Sequence, residues 1–305
     1  MSVTSAFGFI LAMLALGRLL AWRRLVPESS PATLNLVVLY VCLPAAILLY
    51  APRIVFSAEL LGVIAVPWLI LVASCALTFA LSRLLHFDRG TTAVLLLLIA
   101  LGNTSFLGFA LMPALAGEGA LRYAVVYDQF GTFIILSTFG LIVLGVYGGE
   151  RPTLFGIMRR IATFPPFVAL LVALVLMPAS YPHAVAKPLA LLADSLLPMV
   201  ALASGMQLRL VLPRHHRAPL AYGLLAKLVL MPLLALGLCS LLGLSGELRG
   251  AAIYETAMPP MITAGALLSL AGLAPELAAA LVGYGIALSM ATLPAWHWLL
   301  TQLPQ

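Results

Sequence analysis

The sequence predicts an all-α integral membrane protein of ten spanning helices, arranged as two inverted five-helix repeats. Three observations predict it: the composition, ten apolar tracts, and short motifs that recur at offsets of 154 to 160 residues. Of 305 residues, 63% are hydrophobic and 9% are charged. A soluble domain carries about 25% charged residues, so a water-soluble globule is excluded, and a disordered chain would need the opposite balance. A spanning helix needs about 20 apolar residues, and the tracts here are continuous rather than alternating with period two, which excludes a β-barrel.

The tracts are Val3–Trp22, Ala32–Tyr50, Glu59–Ser82, Thr91–Leu115, Leu121–Tyr147, Ile161–Ser180, Ala184–Leu208, Leu220–Leu242, Ala251–Leu270 and Leu277–Leu300. No basic residue precedes the first and no small-residue cleavage site follows it, so it reads as a retained helix and not a signal peptide. Pro165, Pro166 and Pro178 frame the sixth, a short apolar run. The longest connection, Gly148 to Arg160, divides the chain into residues 1–147, a linker 148–160 and residues 161–305. The first and last of these are the two repeats.

Charge sets the expected orientation. Arg18, Arg23, Arg24, Arg83, Arg89, Arg151, Arg159, Arg160, Arg209, Arg214 and Arg217 lie near odd-numbered connections, and Arg53, Arg122, Lys187 and Arg249 near even ones. The positive-inside rule makes the odd connections and the linker cytoplasmic, with both termini outside. The net charge of +6 therefore reports topology and not a nucleic-acid partner. Cys42, Cys75 and Cys239 are scattered within tracts and form neither a disulfide framework nor a metal site. His215-His216, flanked by Arg214 and Arg217, reads as a solvated cytoplasmic turn. Trp22, Trp296 and Trp298 fit interfacial belts.

The repeat rests on motifs in a shared order. Leu43-Pro44 recurs as Leu197-Pro198, Arg89-Gly90 as Arg249-Gly250, and Ala116-Gly117 as Ala271-Gly272; Pro67 matches Pro232. Because five is odd, the second copy enters the bilayer from the opposite side, as in many secondary transporters.

Both repeats are interrupted at corresponding places. The fourth tract holds Gly102-Asn103-Thr104-Ser105-Phe106-Leu107-Gly108, polar residues that are costly in a bilayer unless they face protein, ligand or water. The ninth holds Met258-Pro259-Pro260-Met261-Ile262-Thr263, where two prolines remove backbone donors and disfavour helix before them. Paired interruptions point to a substrate site near the midplane. Its candidate residues are Gly102, Asn103, Thr104, Ser105, Pro259, Pro260 and Thr263. Half-helix N-termini there carry partial positive charge suited to a carboxylate, and neutral side chains add hydrogen bonds.

The Asn103–Gly108 segment, Tyr127-Asp128, Leu197-Pro198, Ser204-Gly205-Met206-Gln207-Leu208 and Ala257-Met258-Pro259, taken in order, resemble the auxin efflux carrier family of membrane transporters. That family includes bacterial malate and malonate permease-like proteins and plant PIN-type auxin carriers. The resemblance covers essentially the whole chain. It implies an elevator-type, bile acid/sodium symporter-like fold, with helices 1, 2, 6 and 7 as scaffold, helices 3–5 and 8–10 as mobile transport domain, and helices 4 and 9 crossing. It also implies small organic anions as substrates, a multi-pass protein of the bacterial inner membrane, and room for a homodimer through the scaffold helices. The long cytoplasmic loop of many plant members is absent, and its regulation is not carried over.

Asp128, Asp194, Lys227 and Glu255 are the remaining ionisable residues expected within the membrane. Asp128 and Lys227 sit roughly 10 Å deep, and in the family's architecture they share one domain, so they are a candidate pair, either a structural salt bridge or a proton relay. Asp194 is expected to line the path or bond Asn35 or Tyr40. Glu255 precedes the second break by four residues and is a candidate proton or cation site. Against the lead reading, a secondary carrier of organic anions, stands a cation/proton antiporter or sodium-coupled symporter on the same crossed-helix fold. No H-E-x-x-H, G-x-S-x-G or phosphate-binding loop occurs, so neither enzyme nor ATPase is expected. No cofactor or metal is expected beyond a coupling H+ or Na+.

Overall fold

The computed structural model describes residues 3–54, 56–149, 153–208, 210 and 214–303, and these are all helices and connections apart from one isolated backbone bridge. Arg151 and Arg209, part of the linker and both chain ends lie outside the described residues. The helices are α1 (Val3–Trp22), α2 (Ser30–Arg53), α3 (Ala58–Leu85), α4 (Arg89–Ala100), α5 (Thr104–Ala116), α6 (Glu118–Gly148), α7 (Leu154–Ala162), α8 (Pro165–Leu176), α9 (His183–Gln207), α10 (Arg217–Leu241), α11 (Gly246–Ala257), α12 (Ile262–Leu270) and α13 (Pro275–Gln302).

Seven of these, α1, α2, α3, α6, α9, α10 and α13, are long and apolar enough to cross a membrane. The pair α7 and α8, bent by 59°, makes eight if it counts as one span. The fourth and ninth tracts fall on α4 plus α5 and on α11 plus α12, each interrupted where the polar or proline residues stand.

The sixth tract needs correction. The helix there starts at Pro165, whose fixed φ suits a first helical position, after an extended Phe164. Upstream, the linker is largely helical. Thr153 caps α7 by accepting from the Gly156 amide at 3.1 Å, and Leu154, Phe155 and Met158 stay exposed beside Arg159 and Arg160.

Packing sorts the helices into two groups. α1 lies along α9, and α2 packs on both α8 and α9. The close approach of α1 and α9 needs glycine twice: a methyl at Gly17 or Gly205 would press into the backbone of Leu202 or Leu14. The other group joins α3 to α4 and α6, α10 to α11 and α13, and α12 to α13. α5 meets α9 and α1 across the divide.

Two half-helices occupy the centre. Thr91–Ile99 of α4 and Ala251–Ala257 of α11 are buried on every side. These two carry the breaks to the middle of the molecule.

Candidate functional site

At the interruptions the two segments run as a short antiparallel pair. Gly102 bridges Pro260, the Asn103 amide donates to the Pro259 carbonyl at 2.8 Å, and the Met261 amide donates to the Leu101 carbonyl at 3.1 Å. The pair answers a backbone problem: α4 and α11 leave carbonyls unfilled at their C-termini, and Pro259 and Pro260 offer no N–H. Pairing the breaks with each other fills two of the carbonyls there, those of Leu101 and Pro259. Glycine is needed at two contacts. A side chain at Gly102 would meet the Glu255 carbonyl at 3.0 Å and Lys227 Nζ at 3.1 Å, and one at Gly285 of α13 would collide with the Pro260 ring.

From this crossing α5 and α12 start, so two helix N-termini meet there. Their first-turn amides have no partner within the helix. Asn103 stands immediately before α5, 1% exposed, and neither its Oδ1 nor its Nδ2 has a hydrogen-bond partner. Unpaired buried amide groups are rare and costly. Thr263 is half-buried in the first turn of α12, while Pro259 and Pro260 are buried in the crossing.

Thr104 and Ser105 take a different part from the one expected. Both hydroxyls donate to the Asp128 carboxylate, Ser105 Oγ at 2.8 Å to Oδ1 and 2.7 Å to Oδ2. Gln129 Nε2 adds a third donor at 2.6 Å to Oδ2. Their protons thus serve a buried carboxylate. Asp128 lies in a wide turn of α6, Asp128–Thr132, and Lys227 in one of α10, Ala226–Leu230. Such π-type turns are frequent at functional sites.

Asp128 and Lys227 do not pair. Lys227 Nζ instead donates to the Thr256 carbonyl at 3.1 Å, in the last turn of α11, where carbonyls carry the negative end of the helix dipole. The Thr256 hydroxyl gives its proton to the Ala252 carbonyl at 2.8 Å, so Tyr127 is the donor in the 2.9 Å bond between Tyr127 Oη and Thr256 Oγ1. Glu255 is wholly buried, and neither carboxyl oxygen has a hydrogen-bond partner. Its carboxyl rests on the bare backbone of Gly108, where any side chain would overlap it.

Other expectations change as well. Asp194 is exposed on α9 and makes no hydrogen bond to Asn35 or Tyr40 among the described residues. Trp296 is 6% exposed and donates to the Leu228 carbonyl at 2.9 Å, so it packs between helices, whereas Trp22 and Trp298 stay exposed. Gln129, Tyr127 and Thr256 join the site without having been singled out as ligands. Their signal was adjacency, each standing next to an intramembrane acid. Ser204 lies on α9, which packs against α5 and its opening turn, and its buried hydroxyl has no partner.

The membrane transport protein family matches residues 2–297, and the chain therefore belongs to it, the auxin efflux carrier family to which its motifs pointed. Two relatives span nearly all of the chain. An uncharacterized transporter from Methanothermobacter thermautotrophicus is 27% identical over 94% of this chain and 95% of its own length. A second uncharacterized transporter, from Methanocaldococcus jannaschii, is 25% identical over 90% of this chain and 92% of its own.

Proposed function

From membership of a membrane transport family as premise, we propose that the chain is a secondary carrier of small organic anions, carboxylates in particular, working by alternating access at the crossing of its two interrupted helices. The observation that carries this reading is Asn103: a buried amide side chain, unpaired on both atoms, beside two helix N-termini. A carboxylate placed there would accept from Asn103 Nδ2 and from first-turn amides, with Lys227 Nζ nearby but committed to the Thr256 carbonyl. Thr263 is the second side chain open to it.

The same reading takes the broken pairs α4–α5 and α11–α12 as single spans, giving ten in two inverted repeats. Reciprocal packing supports the symmetry. A side chain on Gly90, in the first Arg-Gly motif, would meet Ala274 just past the second Ala-Gly motif at 3.2 Å, and one on Gly250 would meet Ala116 of the first at 3.2 Å. The α1, α2, α8 and α9 group is then the scaffold, and α3–α6 with α10–α13 the moving body, with the arginine-rich connections cytoplasmic and both termini outside.

A cation/proton antiporter has one observation in its favour, the two acids Asp128 and Glu255 at one crossing. Asp128, however, already accepts from three side chains, which leaves it poorly placed to hold a cation. The deciding experiment is thermal stability of the purified protein across a panel of mono- and dicarboxylates, followed by uptake into proteoliposomes. A ligand of the folded state raises the melting temperature. Stabilisation by a carboxylate in wild type, lost in Asn103→Ala, is expected; stabilisation by Na+ or Li+ alone would favour the antiporter.

A further inference from the structure

Three ionisable side chains from three helices surround the stretch from Gly102 to Gly108, and they are not equivalent. Asp128 is held by three donors, and Lys227 by the end of α11. Glu255 has no hydrogen-bond partner, lies at 0% exposure, and presses its carboxyl against Gly108 in the opening turn of α5. Burying an ionised carboxylate without donors is costly, and burying a carboxylic acid is much less so. Gly108 lies five residues from Asn103 on the same turn, so the carboxyl and the proposed anion site share a wall.

We propose that Glu255 is the proton carrier of this transporter, taking up and releasing one proton each time the crossing changes sides. The O–H bond forms at a Glu255 carboxyl oxygen from water on one side and breaks toward water on the other; no electrons are exchanged. An organic anion and a proton then move in the same cycle. The anion's part rests on the reading above, and the proton's part rests on the placement of Glu255.

The surroundings favour a proton over a metal cation. Lys227 Nζ stands beside Gly102, against the same α11 turn, where it opposes a second positive charge. Among the described residues no three His, Cys, Asp or Glu side chains converge. The titratable groups around Glu255 are Lys227 of α10 and Tyr127 and Asp128 of α6, with Cys239 of α10 beside Tyr127. Arg122 of α6 is engaged by Glu247, and His297 of α13 is bonded to Tyr254 Oη at 2.9 Å. α3 carries Glu59 and Arg83 near its ends with Cys75 between, and α5 brings hydroxyls but no acid or base.

The test is a pH titration of the purified, ligand-free protein, followed by the infrared carbonyl stretch of protonated carboxyls and referenced to the heat-unfolded chain. Wild type, Glu255→Gln and Asp128→Asn are compared, with carbon-13 glutamate identifying the residue type. A fold-dependent band that titrates, shifts with the glutamate label, survives Asp128→Asn and vanishes in Glu255→Gln is the expected result. A band that survives Glu255→Gln, ignores the glutamate label or is missing from wild type overturns the proposal. Should Glu255→Gln not fold, Glu255→Asp replaces it, and the band must move from the glutamate label to an aspartate label or the proposal fails. Carboxylate stabilisation measured on the same samples separates the two readings. Stabilisation without the band removes the proton carrier and leaves the anion site, and the band without stabilisation does the reverse.

Discussion

The seam between α1 and α9 and the crossing of the two breaks are both places where backbones nearly touch, and they do so to opposite ends. At the seam, Gly17 and Gly205 remove side chains so that two apolar helices close on each other's main chain. At the crossing, Gly102 and Gly108 remove side chains so that Lys227 and Glu255 reach the backbone, and Asn103 is left with unpaired polar atoms. The difference teaches that close approach alone says nothing of function. What marks the crossing is hydrogen-bonding capacity that the fold leaves unfilled.

Substitution should separate the two regions by observable. The largest effect belongs to the seam. In Gly205→Leu the new side chain meets the backbone around Leu14, which cannot rotate away, so the cost should reach or exceed about 3 kcal/mol, the upper part of the overpacking range. Loss of monodisperse protein, or a collapse of melting temperature, is the expected measurement. A well-folded Gly205→Leu protein would break the comparison.

At the crossing the fold should hold while affinity falls. A hydrogen bond to a charged group contributes about 1.5–3 kcal/mol, and tenfold in affinity is about 1.4 kcal/mol, so Asn103→Ala should weaken carboxylate binding roughly ten- to a hundredfold. The melting temperature of the empty protein should stay near wild type. Thr263→Ala, at a half-buried hydroxyl, should cost about 1 kcal/mol, roughly fivefold. Measuring both quantities on one preparation distinguishes a ligand contact from a helix staple, which would lower stability and spare affinity.

Smaller effects come from the periphery. Asp88 caps α4, accepting from the Thr91 amide at 2.9 Å and the Thr91 hydroxyl at 2.6 Å. Burial pushes its carboxyl upward, but the Thr91 bonds, the Gly90 amide and the nearby His216 outweigh this and hold it below the ordinary carboxylate range. A carboxyl held lower in the folded state adds stability above its unfolded pKa and loses it as pH falls through the folded value. Asp88→Ala should therefore cost about 1 kcal/mol at neutral pH, with the gap to wild type closing in acid. Melting curves across pH check the sign.

Smallest of all is the rim. Arg122 links Glu247 at 3.0 Å and the Arg53 carbonyl at 2.9 Å, but its side chain and that of Glu247 are 25% and 40% exposed. Glu247→Gln should change stability by about 0.2–1 kcal/mol, and high salt should remove the difference.

Much of this was legible from the residues. The interruption in the fourth tract shows in Gly102-Asn103-Thr104-Ser105 because a bilayer penalises adjacent polar groups, and that in the ninth shows in Pro259-Pro260 because proline ends the amide ladder. The Arg-Gly and Ala-Gly motifs find a physical meaning as well: Gly90 and Gly250 pack against residues at or just past the opposite motif. The sixth tract was less legible. An apolar run with basic residues before it does not reveal that Leu154–Ala162 turns away by 59°.

The sequence by itself determined the membrane class, the apolar tracts and the location of both breaks, since each follows from local composition and from what one backbone segment tolerates. The tertiary structure alone decided who meets whom. Thr104 and Ser105 reach Asp128 across 24 and 23 residues, Lys227 reaches Thr256 across 29, and Trp296 reaches Leu228 across 68. Hydrogen-bond partners are fixed by distances of about 3 Å between helices, and helical periodicity carries no information about which neighbour lies opposite. So the chain announced Asn103, Asp128, Asp194, Glu255 and Lys227 as candidates in its apolar tracts, but only the packed molecule showed that Asp128 and Lys227 are occupied, that Asp194 faces outward, and that of these five Asn103 and Glu255 are left open.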